Sequence, residues 1–264
     1  MKKKAFLEES AEKQCVALVG NPNVGKSTVF NSLTGLHQHT GNWPGKTVAL
    51  ACGRLLYGAR EALLVDLPGT YSLQSHSQEE TVTEQFLRSG RPDCVVAVCD
   101  ATCLERNLYL VLQVLQITGN VLLCVNLLDE AARCGIRVDL QKLSATLGIP
   151  VVGCAAGKKQ GIAQLRTEIG AKIASREALP PRPACCPFAL VQRAEEIAKA
   201  VVSRDTYAKK PAHARLDALL MHPLGGALSL LAMLFAIFYL TIRGANIPTA
   251  LLESGFGRIQ VVLS

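Results

Sequence analysis

The spacing CxxC is missing from this chain, although its 264 residues include ten cysteines. Cys99 and Cys103 stand four apart and Cys185 and Cys186 are adjacent, with no ordered set of metal ligands around either pair. Cys15, Cys94, Cys99 and Cys124 lie inside apolar runs, where thiols pack as small core groups. A disulfide framework and a cysteine metal site are therefore set aside in favour of reduced thiols in a cytosolic domain. Aromatic residues are scarce, at 5% with one tryptophan, and no basic stripe is interleaved with them. The formal charge of +7 comes partly from Lys2, Lys3 and Lys4 and partly from basic residues around 204–215. No nucleic-acid partner is expected from that pattern. No apolar segment follows the first lysines; Glu8, Glu9, Glu12 and Lys13 come instead, so no signal peptide is expected. No internal repeat is visible. His37, His39, His76, His213 and His222 are scattered and read as solvated rather than as metal ligands.

Long apolar runs are absent except in one place. "LGGALSLLAMLFAIFYLTI", Leu224 to Ile242, carries no charge over 19 residues, enough to cross a hydrocarbon core of roughly 30 Å. The run is apolar all round, unlike a helix packed on a soluble core. Lys209, Lys210 and Arg215 precede it and only Arg243 and Arg258 follow, which predicts a cytoplasmic N-terminal side.

Ahead of that run, residues 15–175 alternate short apolar stretches with helix-length segments, the mark of an α/β fold with a mostly parallel sheet. Strands are expected at 15–20, 48–57, 61–66, 93–100, 120–126 and 149–155, giving a six-stranded sheet. The second and third flank a turn at Gly58 and make an antiparallel edge hairpin. Helices are expected at 25–35, 104–118 and 161–175. The chain thus divides into a charged tail (1–14), a nucleotide domain (15–175), a proline-rich linker with short helices (176–222), a membrane helix (223–243) and a non-cytoplasmic remainder (244–264).

Four stretches carry chemistry. "GNPNVGKS", Gly20–Ser27, satisfies G-x-x-x-x-G-K-[ST] between a strand and a helix. Gly20 and Gly25 let backbone N–H groups along Asn21, Asn23 and Val24, with Pro22 among them, cradle phosphates at a helix N-terminus that continues through Thr28. Lys26 is placed to bridge the β- and γ-phosphates and Ser27 to ligate Mg²⁺. "DLPGTYSL" follows the third strand: Asp66 can hold Mg²⁺ through water, Leu67 and Pro68 form the turn, and Gly69 offers an N–H to a γ-phosphate. "NLLD" ends a later strand. Asp129 can accept both N1–H and the exocyclic amine of guanine, a donor pair adenine lacks. Asn126 braces the base side, with Leu127 and Leu128 between. "CAAGKKQG" supplies the last loop, where Cys154 and Ala155 lead to an Ala156 N–H aimed at the guanine oxygen.

Taken with "GNWPGKTV" (41–48) and "DATCLERNLYL" (100–110), these stretches resemble the N-terminal part of the bacterial ferrous iron transport protein B family. The likeness covers about 15–175 and resumes at 215–242, where "RLDALLMHPLGG" is similar to the family's entry into its first membrane helix. It implies a P-loop GTPase fold of the Ras-like type, GTP and GDP as ligands, and a cytoplasmic domain on the bacterial inner membrane serving Fe²⁺ uptake. It further implies Thr47 as the switch I threonine on Mg²⁺, flanked by Gly45 and Lys46. Asn23, with the carbonyls of Gly41 and Trp43, is implied as a potassium site that assists hydrolysis; the catalytic set is then Asn23, Lys26, Thr47 and Gly69. Membrane lipid, further transporter spans, a homo-oligomer and small accessory transport proteins are the implied partners.

Departures from the pattern matter. Thr70 and Tyr71 follow Asp-x-Pro-Gly where Ras-like enzymes place a water-orienting glutamine, so slow, cation-assisted turnover is expected. Leu127 stands where many GTPases carry a lysine, Ala155 replaces a serine and Cys154 a threonine. Residues 176–222 are short for the family's helical domain. One span alone forms no transport path, so the remaining spans are expected in a missing part or another chain. Two other classes fit less of the sequence. They are a ribosome- or tRNA-handling GTPase, which would need a basic RNA-binding domain, and a nucleotide-gated module that does not hydrolyse.

Overall fold

The computed structural model describes residues 14–35, 38–42, 49–74, 77–175, 180–204 and 219–263, and its chain separates into two compact units, 1–208 and 209–264. In the first unit all six expected strands form. They are β1 (Cys15–Gly20), β3 (Ala49–Tyr57), β4 (Arg60–Asp66), β5 (Cys94–Asp100), β6 (Val121–Asn126) and β8 (Val151–Gly153). A seventh, β2 (Gln38–Asn42), pairs antiparallel with β3 outside the expected edge. The sheet order is β2-β3-β4-β1-β5-β6-β8. Since β3 is antiparallel to both β2 and β4, it is the one strand running against the rest, yet not the edge. Part of the stretch read as a switch loop is therefore strand. The β3–β4 connection is a two-residue hairpin with Tyr57 opposite Arg60 and Gly58 at φ 57°, the left-handed value such turns need.

Period-two alternation sorts the strand side chains onto two faces. From β1, Cys15, Ala17 and Val19 face one core, and Val16 and Leu18 the other. The second core is covered by α1 (Lys26–Thr34), through Val29, Phe30 and Leu33, and by α6 (Ile162–Ser175), through Leu165 and Ile169. The first is covered by α2 (Gln78–Arg88), α3 (Leu104–Ile117) and α5 (Leu140–Leu147), while α4 (Leu128–Arg133) adds Ala131. Such two-sided cover explains why parallel strands here are continuous apolar runs. Burial pushes the Cys15 and Cys94 thiols up to about 12, and every described cysteine is a free thiol.

The segment read as a linker does more than connect. Helix α7 (Pro187–Val201) buries Leu190, Ala194, Ile197, Ala198 and Val201 in the first core, with Pro187 at its first turn. Strand β9 (Val202–Arg204) then pairs antiparallel with β7 (Ile136–Val138), and the Arg182 N–H donates to the Leu115 carbonyl at 2.8 Å. Most of the amphipathic helix expected before Pro223 lies outside the described residues.

In the second unit, α8 runs from Pro223 to Leu263, 41 residues, about 60 Å at the helical rise. Its Pro223–Arg243 stretch has a mean hydropathy of 2.1 and none of its apolar window is buried. That stretch is long and apolar enough to cross a membrane. The helix continues beyond the 223–243 boundary, so the remainder read as a separate segment is helical in continuation.

Candidate nucleotide-binding site

Every described motif of the site lies at the carboxyl ends of β1, β4, β6 and β8, the edge where ligands bind in open parallel sheets. The loop after β1 needs two special backbones. Gly25 sits at φ 78° just before α1, and Asn23 at φ 66°, a region asparagine tolerates better than most residues. A Cβ on Gly20 would stand 2.6 Å from the Val98 carbonyl oxygen, and one on Gly25 would stand 2.5 Å from Asn126 Nδ2. Both positions are thus closed to side chains by β5 and by the base-side loop. We expect Gly25→Ala to destabilise the folded domain by about 2–3 kcal/mol, from left-handed strain plus loss of the Asn126 hydrogen bond. Urea unfolding measures it.

Lys26, in the first turn of α1, donates to an Asp66 carboxylate oxygen and to the Leu67 carbonyl at 2.5 Å. Both ionic side chains are largely covered, at 11% and 13% exposure. Burial is the larger influence on Asp66 and raises its carboxyl above the usual range, while the Lys26 ammonium opposes it. Gly69 lies against the P-loop, where an added Cβ would meet Pro22 Cα and N at 3.3 Å. Thr70 is buried, its N–H donating to the Gly20 carbonyl at 3.2 Å and its hydroxyl to the Ser72 carbonyl at 2.6 Å. It is thereby occupied inside its own turn. Beyond it, Arg106 of α3 stacks on the Tyr71 ring at 5.3 Å, and Gln113 Oε1 accepts from the Leu73 N–H at 2.9 Å.

On the base side, Asn126 is 1% exposed and joins two motifs. Its Nδ2 donates to the Val24 carbonyl at 3.1 Å, and its Oδ1 accepts from the Ala156 N–H at 3.0 Å. The Ala156 N–H expected to face guanine is thus engaged by Asn126 in this structure. Leu127 takes a left-handed backbone at φ 61°, turning the chain into α4 so that Asp129 falls in its first turn. Leu128 N–H donates to the Cys154 carbonyl at 3.2 Å, tying α4 to the last loop. Asp129 Oδ2 lies 3.0 Å from Lys158 Nζ and 3.3 Å from Arg133 Nη2. A hydrogen bond from Lys158, foremost, holds its carboxyl below the usual carboxylate range. Sequence reading passed over Lys158, because a lysine in a polar loop carries no spacing signal.

Of the remaining expected residues, Ser27 and Thr28 are exposed on α1, while Leu67 is wholly buried and contributes only backbone. Gly41 lies in β2 opposite Leu50. Trp43, Gly45, Lys46 and Thr47 lie outside the described residues. The oxygen donors that are described, the Asp66 carboxylate and the exposed Ser27 hydroxyl, are the hard ligands that Mg²⁺ takes, and they fit it. Exposed Asn23 fits a weak monovalent-cation ligand.

A phosphate loop, an Asp-x-Pro-Gly turn, an Asn-x-x-Asp element and a base loop, in that order on one sheet edge, define a P-loop GTPase domain. Residues 14–169 match the profile of the family "Ferrous iron transport protein B". The Fe(2+) transporter FeoB of Helicobacter pylori strain J99 is 36% identical over 254 residues, 91% of this chain and 39% of that protein. The solved cytosolic domain of L. pneumophila FeoB superposes with a TM-score of 0.66 at 28% identity, covering 72% of this chain and all of that one. A GDP-bound point mutant of the S. thermophilus FeoB G-domain gives 0.59 at 38% identity, covering 65% of each chain. The chain belongs to the FeoB family, and it spans about two fifths of the H. pylori relative's length.

Proposed function

We propose that this chain binds guanine nucleotide at the sheet edge and hydrolyses GTP slowly as the cytoplasmic regulator of a ferrous iron transporter. The observation that carries the reading is the Asn126 amide, which fastens the phosphate loop to the base loop through Val24 and Ala156. A buried amide bonded to both loops fixes their spacing, as two loops that close on one ligand need. GDP bound to the S. thermophilus relative supports the choice of nucleotide. With Ala156 engaged, the next N–H, that of Gly157, takes the guanine oxygen, and Asp129 takes the two ring-edge donors.

Binding requires Lys26 to leave Asp66 and Leu67 for the phosphates. Asp66, so freed, would hold magnesium together with Ser27 and Thr47. The metal neutralises phosphate charge when bound. Gly69, pressed on Pro22, reports the γ-phosphate into the 70–74 turn, which α3 already grips through Arg106 and Gln113. Thr70 cannot orient water as a glutamine would, so charge stabilisation falls to Lys26; Asn23, with the carbonyls of Gly41 and Trp43, would hold a potassium ion that would add to it. The apolar helix anchors the domain in the bacterial inner membrane with its basic flank inside, beside the spans that carry Fe²⁺ as cargo. Lipid, those spans, a second copy and small accessory transport proteins are its partners.

Phosphate release by the full chain in potassium and in sodium tests the cation step. Hydrolysis should be at least about 10-fold faster in potassium, and Asn23→Ala should remove the difference. Equal rates for wild type in both salts contradict the cation site.

A further inference from the structure

The ammonium of Lys158 has no place in the functions described so far, yet its geometry is specific. It reaches from the turn after β8 to the first turn of α4, where it meets Asp129 Oδ2 at 3.0 Å. Arg133, one helical turn along α4, approaches the same oxygen at 3.3 Å and donates through Nε to the Asp129 carbonyl at 3.3 Å. Position 127, where a lysine is usual, holds no charge here. The Leu127 Cδ2 instead lies 4.0 Å from where a Cβ on Gly25 would be, packed toward the phosphate loop.

The turn that carries Lys158 is itself fixed. Its N–H donates to the Ala155 carbonyl at 2.9 Å, and the Lys159 N–H to the Ala156 carbonyl at 3.0 Å. Ala155 and Gln160 exchange two hydrogen bonds of 3.1 and 3.2 Å, and Ala156 is held by Asn126. The backbone of this turn is therefore held by Asn126 and its lysine side chain by Asp129, the two ends of one Asn-x-x-Asp motif.

We propose that Lys158 is the positioning residue for Asp129. It turns the carboxylate to the guanine edge and straps the base loop to α4, so that release of GDP requires this ion pair to open. The inference rests on the guanine-nucleotide reading above. Lys158 acts here through Asp129 and not on the base, which separates it from a residue that merely covers the ring. Conversely, a purely structural lysine would stabilise the turn whatever residue stood at 129.

The test is a double-mutant cycle on the full chain in detergent, following release of a fluorescent N-methylanthraniloyl nucleotide. Asp129→Asn supplies the second background, because its amide pairs with the 2-carbonyl of xanthine in place of the guanine amine. In wild type, Lys158→Ala should speed GDP release roughly three- to fivefold, the upper part of the range for a half-exposed ion pair. Lys158→Arg should keep release within about twofold of wild type, and Lys158→Ala should alter xanthosine diphosphate release from Asp129→Asn by less than about twofold. Equal acceleration in both backgrounds, or none in either, overturns the proposal. Wild type that binds no labelled GDP refutes the nucleotide reading itself. Wild type that binds GDP, with an Asp129→Asn protein that refuses the xanthine nucleotide, refutes Asp129 as base reader and the strap with it.

Discussion

Asp129→Asn should weaken GDP binding by at least about 100-fold and give the protein a new affinity for xanthosine diphosphate. The Asn amide keeps one oxygen to accept a guanine donor but sets its own N–H against the other, so one hydrogen bond is lost and the remaining one loses its charge. A charged hydrogen bond contributes about 1.5–3 kcal/mol and the clash of two donors adds to that, which accounts for the change without any effect on folding. The structure limits such an effect, since among the described residues the ion-pair partners of the Asp129 carboxylate, Lys158 and Arg133, are both exposed. Equilibrium titration with both nucleotides measures it. An Asp129→Asn protein that keeps its GDP affinity places the base elsewhere.

Lys26→Met should have two separable effects. Hydrolysis should fall by about 10²–10³-fold, the usual loss when one preorganised donor to a developing charge is removed. The nucleotide-free fold should also weaken near neutral pH. Burial already raises the folded-state carboxyl of Asp66 above its unfolded value, and Lys26 is what opposes that rise. A group raised on folding stabilises when protonated and loses that contribution as pH climbs through its folded value. Without Lys26 the folded value climbs further, so the penalty at neutral pH grows and shrinks again towards acid. Unfolding of wild type and Lys26→Met between about pH 5 and 8 should show the gap widening with pH. A gap independent of pH contradicts the Lys26–Asp66 account.

What was readable in the chain followed from how narrowly each motif constrains the backbone. Gly25 must be left-handed and must leave room for Asn126, so its place in the phosphate loop could be recognised before any partner was known. The strands were legible as apolar runs because both their faces are covered. Strand β2 was not, since "QHTGN" has neither apolar alternation nor β-branched enrichment and is a strand only through pairing with β3. The apolar stripe of α7 could be seen, yet an amphipathic period names no partner, and only packing places Leu190 and Ile197 on the first core. The bond from the Ala156 N–H to Asn126 was not legible either, because it joins residues 30 positions apart in the chain.

Phosphate release from GTP and from ATP by the full chain, in potassium with magnesium, tests the central claim most directly. The Asp129 carboxylate and the base loop predict turnover of GTP with ATP left at background. Equal turnover of the two nucleotides, or no GTP-dependent phosphate at all, would contradict the claim that this sheet edge is a guanine-specific hydrolytic site.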